Sequence, residues 1–314
     1  MTHQAGVRSD KIKLLVVQGP TASGKTAFAV ELAERYGGEI VNADAVQVYR
    51  RLDIGTAKPS AELRRRVPHH LLDIVDPDEE FTAADFRRRA AAAIADIHGR
   101  GKRALLVGGT GLYIRALTRG LASSPGGDDA IRAELEAQVH REGPLSLHRR
   151  LEELDPVTAA RLHPNDRVRI VRALEVFLTT GHPLSSFQDA HRFGEAPYDC
   201  FKLGIAVARE ELYRRIEERV DRMIADGLVD EVRGLIAAGY PPTLKALGSI
   251  GYREVCSHLA GAYPLDEAIR LIKQHTRNYA KRQLTWFRKD SEILWVEYPG
   301  KSATIDSNVM EFYG

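Results

Sequence analysis

The stretch Gly19-Pro20-Thr21-Ala22-Ser23-Gly24-Lys25-Thr26 matches the pattern GxxxxGKT at every fixed position. It follows a short apolar run with β-branched residues, Lys13 to Gln18, which reads as a buried parallel strand. Apolar residues at helical spacing then run from Lys25 to Tyr36, with Gly37-Gly38 as the stop. Strand, glycine loop and helix start are the context this motif needs. The glycines let backbone N–H groups turn inward around an anion, and the helix N-terminus favours negative charge. Lys25 adds a point charge, and the Thr26 hydroxyl is suited to ligating Mg²⁺. The loop therefore specifies an oligophosphate and leaves open which molecule carries it.

The rest of the chain repeats the same grammar. Glu39 to Ala43 reads as a second strand and Phe81 to His98 as an Ala-rich helix, with Thr82 and Asp85 fitting a capping box. Arg103 to Val107 is a further strand, ending in Gly108-Gly109-Thr110-Gly111. Alternating strands and helices predict an α/β fold, a P-loop-type parallel sheet with helices on both faces. The pattern changes near Gly120, where Ser123 to Asp128 is a Ser/Pro/Gly/Asp linker. Helical periodicity without a convincing strand then extends to about Pro197. Phe201 to Ala208 returns to strand character, Leu212, Ile216 and Val220 form one apolar stripe, and Trp295-Val296 is a candidate late strand. The expected organisation is a P-loop core over residues 1–120, an inserted all-helical domain over 121–199, and a mainly helical completion of the core over 200–314.

Composition adds exclusions. With 314 residues, 44% hydrophobic and 28% charged, the chain has enough apolar material for a sizeable core. A net charge of +2 gives no whole-molecule field for a polyanion, but the arginines cluster locally, around Val168 to Arg172 and Arg277 to Arg288. Cys200 and Cys256 are far apart and read as buried reduced thiols. His69, His70 and His163 lack metal-ligand spacing, which argues against a metal site. No apolar run is long enough for a transmembrane helix, so no membrane role is expected. Met1 to Lys13 is polar and reads as a loose tail on a cytoplasmic protein.

An ATPase usually carries an acid at the end of an apolar strand, to organise Mg²⁺ and water. The strand ending at Val107 runs into glycines instead. Asp44 does end a strand, within Asn42-Ala43-Asp44-Ala45-Val46-Gln47, a polar segment resembling a substrate-facing loop. From the residues alone, a proton-accepting base and a loop acid or Mg²⁺ organiser fit Asp44 equally well.

Several further stretches accompany the P-loop: Asp44-Ala45-Val46-Gln47, Ile54 to Pro59, His70 to Asp73, Gly108 to Gly111, His163 to Asp166, Arg172 to Glu175, Gly251 to Arg253, and Ala280 to Trp286. As an ordered set running almost end to end, they make the chain resemble the bacterial tRNA dimethylallyltransferases, also called tRNA isopentenyltransferases. The resemblance implies transfer of a dimethylallyl group from dimethylallyl diphosphate to N6 of the adenine just 3′ of the anticodon, with diphosphate released. It implies Asp44 as general base, with Thr26 and Arg219 holding the diphosphate in the catalytic set. Gly19, Thr21, Ala22, Ser23, Gly24, Lys25 and Thr26 would form the diphosphate cradle, with Mg²⁺ as cofactor at Thr26. Contacts to the tRNA anticodon stem-loop are implied at Thr110, Arg132 and the segment Asp44, Ala45, Val46 and Gln47. They are also implied along Val168, Arg169, Ile170, Val171 and Arg172, and along Gly248, Ser249, Ile250, Gly251, Tyr252 and Arg253. Ala45 stands where the family often has Ser, which removes a possible hydroxyl contact. The expected state is a monomer.

Bland readings stand beside these. Arg215 and Arg219 lie near Glu211 and Glu218 at helical spacing, which without the resemblance reads as a solvated, salt-bridged face. Trp286 fits a core or an interface equally. Tyr252, Arg253 and Trp286 are candidates for stacking or backbone contact with RNA, and Gln47 for reading a base edge. Rival functions are a prenyltransferase acting on free adenine nucleotides, a P-loop small-molecule kinase, and a non-catalytic RNA-binding module. The long helical insertion and Arg-rich last third argue against the first.

Overall fold

A computed structural model of the chain describes residues 11–122, 127–191, 194–299 and 302–314. Most of the expected N-terminal tail, and 123–126 of the expected linker, lie outside the described residues.

Strand β1 (Ile12–Gln18) enters the P-loop and helix α1 (Lys25–Tyr36) leaves it. Gly37 ends α1 in the left-handed region, and the chain turns directly into β2 (Gly38–Ala43). Helix α2 (Ala61–Arg66) and the two-residue β3 (His69–His70) follow. Helix α3 (Ala83–Gly99) starts on the predicted capping box: Asp85 N–H donates to the Thr82 hydroxyl, and Thr82 N–H to the Asp85 carboxylate. Then come β4 (Arg103–Gly108) and α4 (Gly111–Arg119).

Five helices come next: α5 (Asp129–Glu142), α6 (Ser146–Leu154), α7 (Pro156–Ala159), α8 (Arg167–Thr180) and α9 (Leu184–His191). The chain returns as β5 (Tyr198–Ala206), α10 (Arg209–Ala225), α11 (Leu228–Ala237), α12 (Tyr252–Leu259), α13 (Leu265–Phe287), β6 (Ile293–Glu297) and α14 (Ser302–Tyr313).

The six strands form one parallel sheet in the order β3-β2-β4-β1-β5-β6. Parallel strands are covered on both faces, so their residues are apolar on both. Leu14, Val16, Val41 and Leu106 face Phe86, Ile94 and Ile97 of α3, together with Val220, Tyr252, Ile272 and Phe287. Leu15, Val17, Ile40, Leu105 and Val107 face Phe28, Ala29 and Leu32 of α1, with Ile305 and Val309 of α14. The fold is the predicted parallel α/β sheet. β3 escaped sequence reading because two residues carry no periodicity. β5 begins at Tyr198 rather than Phe201 because it pairs with β1 from Ile12 onward.

The chain divides into two compact units, Met1–Thr118 with Ala196–Gly314, and Arg119–Glu195. The second unit has its own core of Leu135, Leu147, Leu151, Ile170, Ala173 and Leu174. Among the described residues of this unit there is no strand. Both cysteines are unbridged; Cys256 is buried, while Cys200 is only half-buried on β5.

Glu39 of β2, the strand next to the short edge strand β3, shows how the sheet handles a buried charge. It is 2% exposed. Its carboxylate accepts two hydrogen bonds from Arg100, at 2.6 and 2.8 Å, and one each from Lys102 and His70 at 2.7 Å. These donors, Arg100 first, hold its pKa far below the usual carboxylate value against the opposing effect of burial. A depressed folded pKa contributes stability above the unfolded value of about 4.3, and that stability is lost as pH falls through the folded pKa. Glu39→Gln should therefore cost about 1–3 kcal/mol at neutral pH and flatten the acid limb of the stability profile. Urea unfolding of both proteins across a pH series checks this; parallel profiles would count against it.

Candidate active site

Strands β2, β4 and β1 lie side by side, and the loops leaving their carboxyl ends converge. The first is the P-loop. Gly24 sits at φ 91 as the N-cap of α1, a conformation in which other residues are strained. Ala22 is also left-handed, at φ 63, and such alternation of handedness along a loop is the backbone pattern of anion-binding nests. The Ser23 hydroxyl is buried without a protein partner. Lys25 Nζ lies 3.5 Å from the Pro20 carbonyl. Its pKa is pushed down to about 8, by burial first and then by Arg219, against the pull of Asp44.

The second loop carries Asp44. Its Oδ1 accepts the N–H groups of Val46 at 2.9 Å and Gln47 at 3.1 Å, a turn that fixes the carboxylate. Gln47 Nε2 donates to the carbonyls of Thr56 and Ala57. The third loop follows β4. Thr110 N–H donates to the Ala43 carbonyl at 3.2 Å, and the Thr110 hydroxyl accepts Ala45 N–H at 3.1 Å. Thr110 is thereby tied to both sides of Asp44.

Helix α10 supplies Arg219, and here the structure separates what the sequence pattern left joined. Glu211 takes Arg214 and Arg215, and Glu218 pairs with Arg214. Arg219 turns instead to the cradle, with Nη1 3.4 Å from the Thr21 hydroxyl. Burial, and then the charge of Arg222, lower its pKa. Asp44, Thr21, Lys25 and Arg219 are thus one cluster, with Thr26 in the first turn of α1. An open cavity of about 850 Å³ borders Arg219, lined by residues of the 50–64 segment and by Arg222 and Met223 of α10. Lys58 in its wall is locked by Asp53 at 2.8 Å and Asp73 at 2.5 Å.

Three residues here were given no role by the sequence. Gln283 of α13 accepts Thr21 N–H at 2.9 Å and donates to the Gly109 carbonyl at 2.9 Å. The buried Tyr279 hydroxyl lies beside Thr110 and Gln283, and burial first, then the charge of Asp44, push its pKa up. Arg215 Nη1 lies 3.5 Å from the Ser23 carbonyl. Gln283 falls within the Ala280 to Trp286 stretch, but periodicity alone makes it one polar position of an amphipathic helix.

The segments implied to meet RNA differ in what they present. On α8, Val168 is 82% exposed whereas Ile170 is 1% exposed in the helical core, so the Ile170 side chain is structural. Arg132 Nε and Arg172 Nη1 converge on the buried Glu175 carboxylate at 2.7 and 2.6 Å. Arg169 pairs with Asp166 and Val171 packs beside the helical core. In the other unit, Gly248 N–H donates to the carbonyls of Leu244 and Lys245, and the Ser249 hydroxyl to that of Ala246. Ile250 packs against the core, and Gly251 N–H donates to Glu254 at 2.8 Å. Arg253 pairs with the same carboxylate. Tyr252 requires a correction. It is fully buried, with its hydroxyl donating to Glu231 at 2.5 Å, and so offers no face to a base. Trp286 is 43% exposed and packs at Gly111 beside Thr110.

The lowered pKa of Lys25 has a binding consequence. A polyanion binds the charged ammonium and raises its pKa again, so affinity should be level below about pH 8 and fall by up to about tenfold per pH unit above it. Calorimetric titration of inorganic diphosphate into the wild type and into Lys25→Arg, across that range, measures it as the ratio of the two affinities, in which the ligand's own ionisation cancels. A ratio indifferent to pH up to about 10, close to the ordinary lysine pKa, would show that Lys25 is not the cation that binds.

A family model described as "IPP transferase" matches residues 47–290. The tRNA dimethylallyltransferase of Geobacter metallireducens is 74% identical over 304 residues, covering 97% of this chain and 98% of that protein. That of Geobacter sulfurreducens is 64% identical over the full length of both. Among solved structures, the tRNA isopentenylpyrophosphate transferase of Bacillus halodurans superposes with a TM-score of 0.71 at 41% identity, covering 96% of each chain. A eukaryotic dimethylallyltransferase acting on tRNA superposes with a TM-score of 0.76 at 28% identity, covering 96% of this chain and 77% of that one. With a family match across most of the chain and full-length relatives at this identity, the chain belongs to the IPP transferase family.

Proposed function

We propose that this protein transfers a dimethylallyl group from dimethylallyl diphosphate to N6 of the adenine just 3′ of the tRNA anticodon, releasing diphosphate. The observation that carries the reading is the cluster of Asp44, Lys25 and Arg219 at one P-loop. Two cations suit a departing diphosphate, and a carboxylate beside them suits a proton leaving the incoming amine. Neither strand beside β1 ends in an acid: β4 ends in Gly108-Gly109 and β5 in Ala206-Val207. The station an ATPase uses for water and metal is therefore missing from both neighbours of the P-loop strand.

The chemistry follows from charge. The allylic C–O bond breaks readily once the leaving diphosphate is stabilised, because the carbon's positive charge spreads over the allyl system. The P-loop amides, Lys25, Thr26 and Arg219 supply that stabilisation. The adenine N6 amine is a poor nucleophile, with its lone pair drawn into the ring. It becomes acidic as the new C–N bond forms, and Asp44 accepts its proton. The hydrogen bonds to Asp44 run to Oδ1, leaving Oδ2 for that task. The target base must leave the anticodon-loop stack to reach this point.

Mg²⁺ belongs to the same proposal. The Thr26 hydroxyl together with diphosphate oxygens makes a hard, all-oxygen donor set of the kind Mg²⁺ uses without a protein cage. Among the described residues no cluster of His, Cys, Asp and Glu could hold a metal by itself. When bound, the ion neutralises charge on the diphosphate. The proposed tRNA partner meets Thr110, the Asp44 to Gln47 segment, Arg132, Arg169, Arg172 and Arg253, and the proposed place of action is the cytoplasm. No described helix is long and apolar enough to cross a membrane.

A paired assay tests the reading: label transfer from dimethylallyl diphosphate to an anticodon stem-loop, and ADP release from ATP. The allyl donor should react and ATP should not. In single-turnover kinetics at saturating RNA, Asp44→Ala should slow transfer by about 10²- to 10⁴-fold and leave RNA affinity nearly unchanged. Turnover of ATP with an inert allyl donor would make this a kinase or ATPase. Transfer to free adenine nucleotide in preference to the stem-loop would move it to the cytokinin-forming class.

A further inference from the structure

We infer that Gln283 is a positioning residue, a single amide that fixes the distance between the diphosphate cradle and the loop carrying the proton acceptor. The inference rests on the proposed transfer reaction.

Gln283 projects from α13 and is 6% exposed. Its Oε1 accepts Thr21 N–H, and its Nε2 donates to the Gly109 carbonyl, both at 2.9 Å. The two partners belong to different loops. Thr21 carries the hydroxyl that meets Arg219. Gly109 precedes Thr110, whose backbone N–H and hydroxyl bind Ala43 and Ala45 on either side of Asp44. The path from the leaving-group cation to the base thus runs Arg219, Thr21, Gln283, Gly109, Thr110, Asp44. Tyr279, one helical turn before Gln283, places a buried hydroxyl beside both Thr110 and Gln283.

The chemistry of the two partners selects the side chain. One is a donor and the other an acceptor, so only a group that both accepts and donates satisfies them. A carboxylate has no proton for the Gly109 carbonyl, and a thioether serves neither partner. Gly109 must approach closely: a Cβ there would stand 2.3 Å from Gln283 Nε2. The glycine is needed for contact with this amide and not for its backbone angles, since its φ is not left-handed. Transfer between two bound substrates is sensitive to such spacing, because a displacement of about 1 Å in a near-attack geometry costs about 10²-fold in rate.

Three variants test this in the intact protein, each checked by circular dichroism and thermal melting. Gln283→Met keeps length and burial, Gln283→Glu keeps the acceptor alone, and Gly109→Ala displaces the amide without removing it. Each should lower the single-turnover rate at saturating donor and RNA by about 10- to 100-fold, with RNA dissociation constants within about twofold of wild type. In Gln283→Ala the obstruction is gone, so adding Gly109→Ala should cost nothing further. A role in packing alone predicts lowered melting temperature with normal turnover of the folded fraction; that result, or additive effects of Gly109→Ala and Gln283→Ala, overturns the inference. Wild-type protein in the same assay separates the two readings, since its failure to prenylate would strike the proposed function and not the role of Gln283.

Discussion

Lys25 and Arg219 approach each other in a partly desolvated cradle, where the charge of Arg219 adds to burial in disfavouring the Lys25 ammonium. Like charges that near one another are unfavourable in low dielectric. The fold holds them there regardless. Lys25 is placed by the start of α1 and Arg219 by α10, and both helices are packed on the sheet through Phe28, Ala29 and Val220. Hydrophobic burial thus supplies the energy that keeps two cations poised, and the proposed diphosphate would turn their repulsion into attraction. Asp44 already softens the arrangement, since it favours the charged form of Lys25. In the proposed reaction the same carboxylate accepts the proton of the incoming amine, so one acid would both balance the cradle and complete the chemistry.

The helical unit applies the same logic within its own core. Glu175 is fully buried in α8, and its two oxygens take Arg132 and Arg172. Asp128 N–H adds a third donor at 2.7 Å. A buried carboxylate satisfied in this way holds two long cationic side chains in fixed directions, which would lower the entropy lost in the proposed contact with tRNA phosphates. The motif Arg172 to Glu175 is therefore one device: the acid and one of the arginines it orients, one helical turn apart.

How much of this could be read from the sequence follows from the range of each interaction. The P-loop is local, so its strand, turn and helix were legible, with α1 spanning the predicted Lys25–Tyr36. The capping box at Thr82 and Asp85 was legible for the same reason. Arg219 was not legible from pattern, because nothing at helical spacing says that Arg214 takes Glu211 and Glu218, freeing Arg219 for Thr21. Tyr252 was misread because it lies beside Arg253 in a segment implied to meet RNA, while its ring fills the core beneath Gly55 and its hydroxyl serves Glu231. Gln283 lies 262 positions from Thr21, and only the packing of α13 across the sheet brings them together. β3 was invisible because a two-residue strand is defined by its neighbour β2 and not by its own residues.

The central claim is that the phosphate cradle and Asp44 act together on an allyl diphosphate and a tRNA adenine. It is tested most directly by nucleoside mass spectrometry of tRNA from cells lacking this gene, complemented with the wild-type chain or with Asp44→Asn. The account predicts that adenosine gains one dimethylallyl unit, next to the anticodon, only when the wild-type chain is present. Prenylated adenosine at undiminished level in the Asp44→Asn cells, or its absence with the wild-type chain expressed, would contradict it.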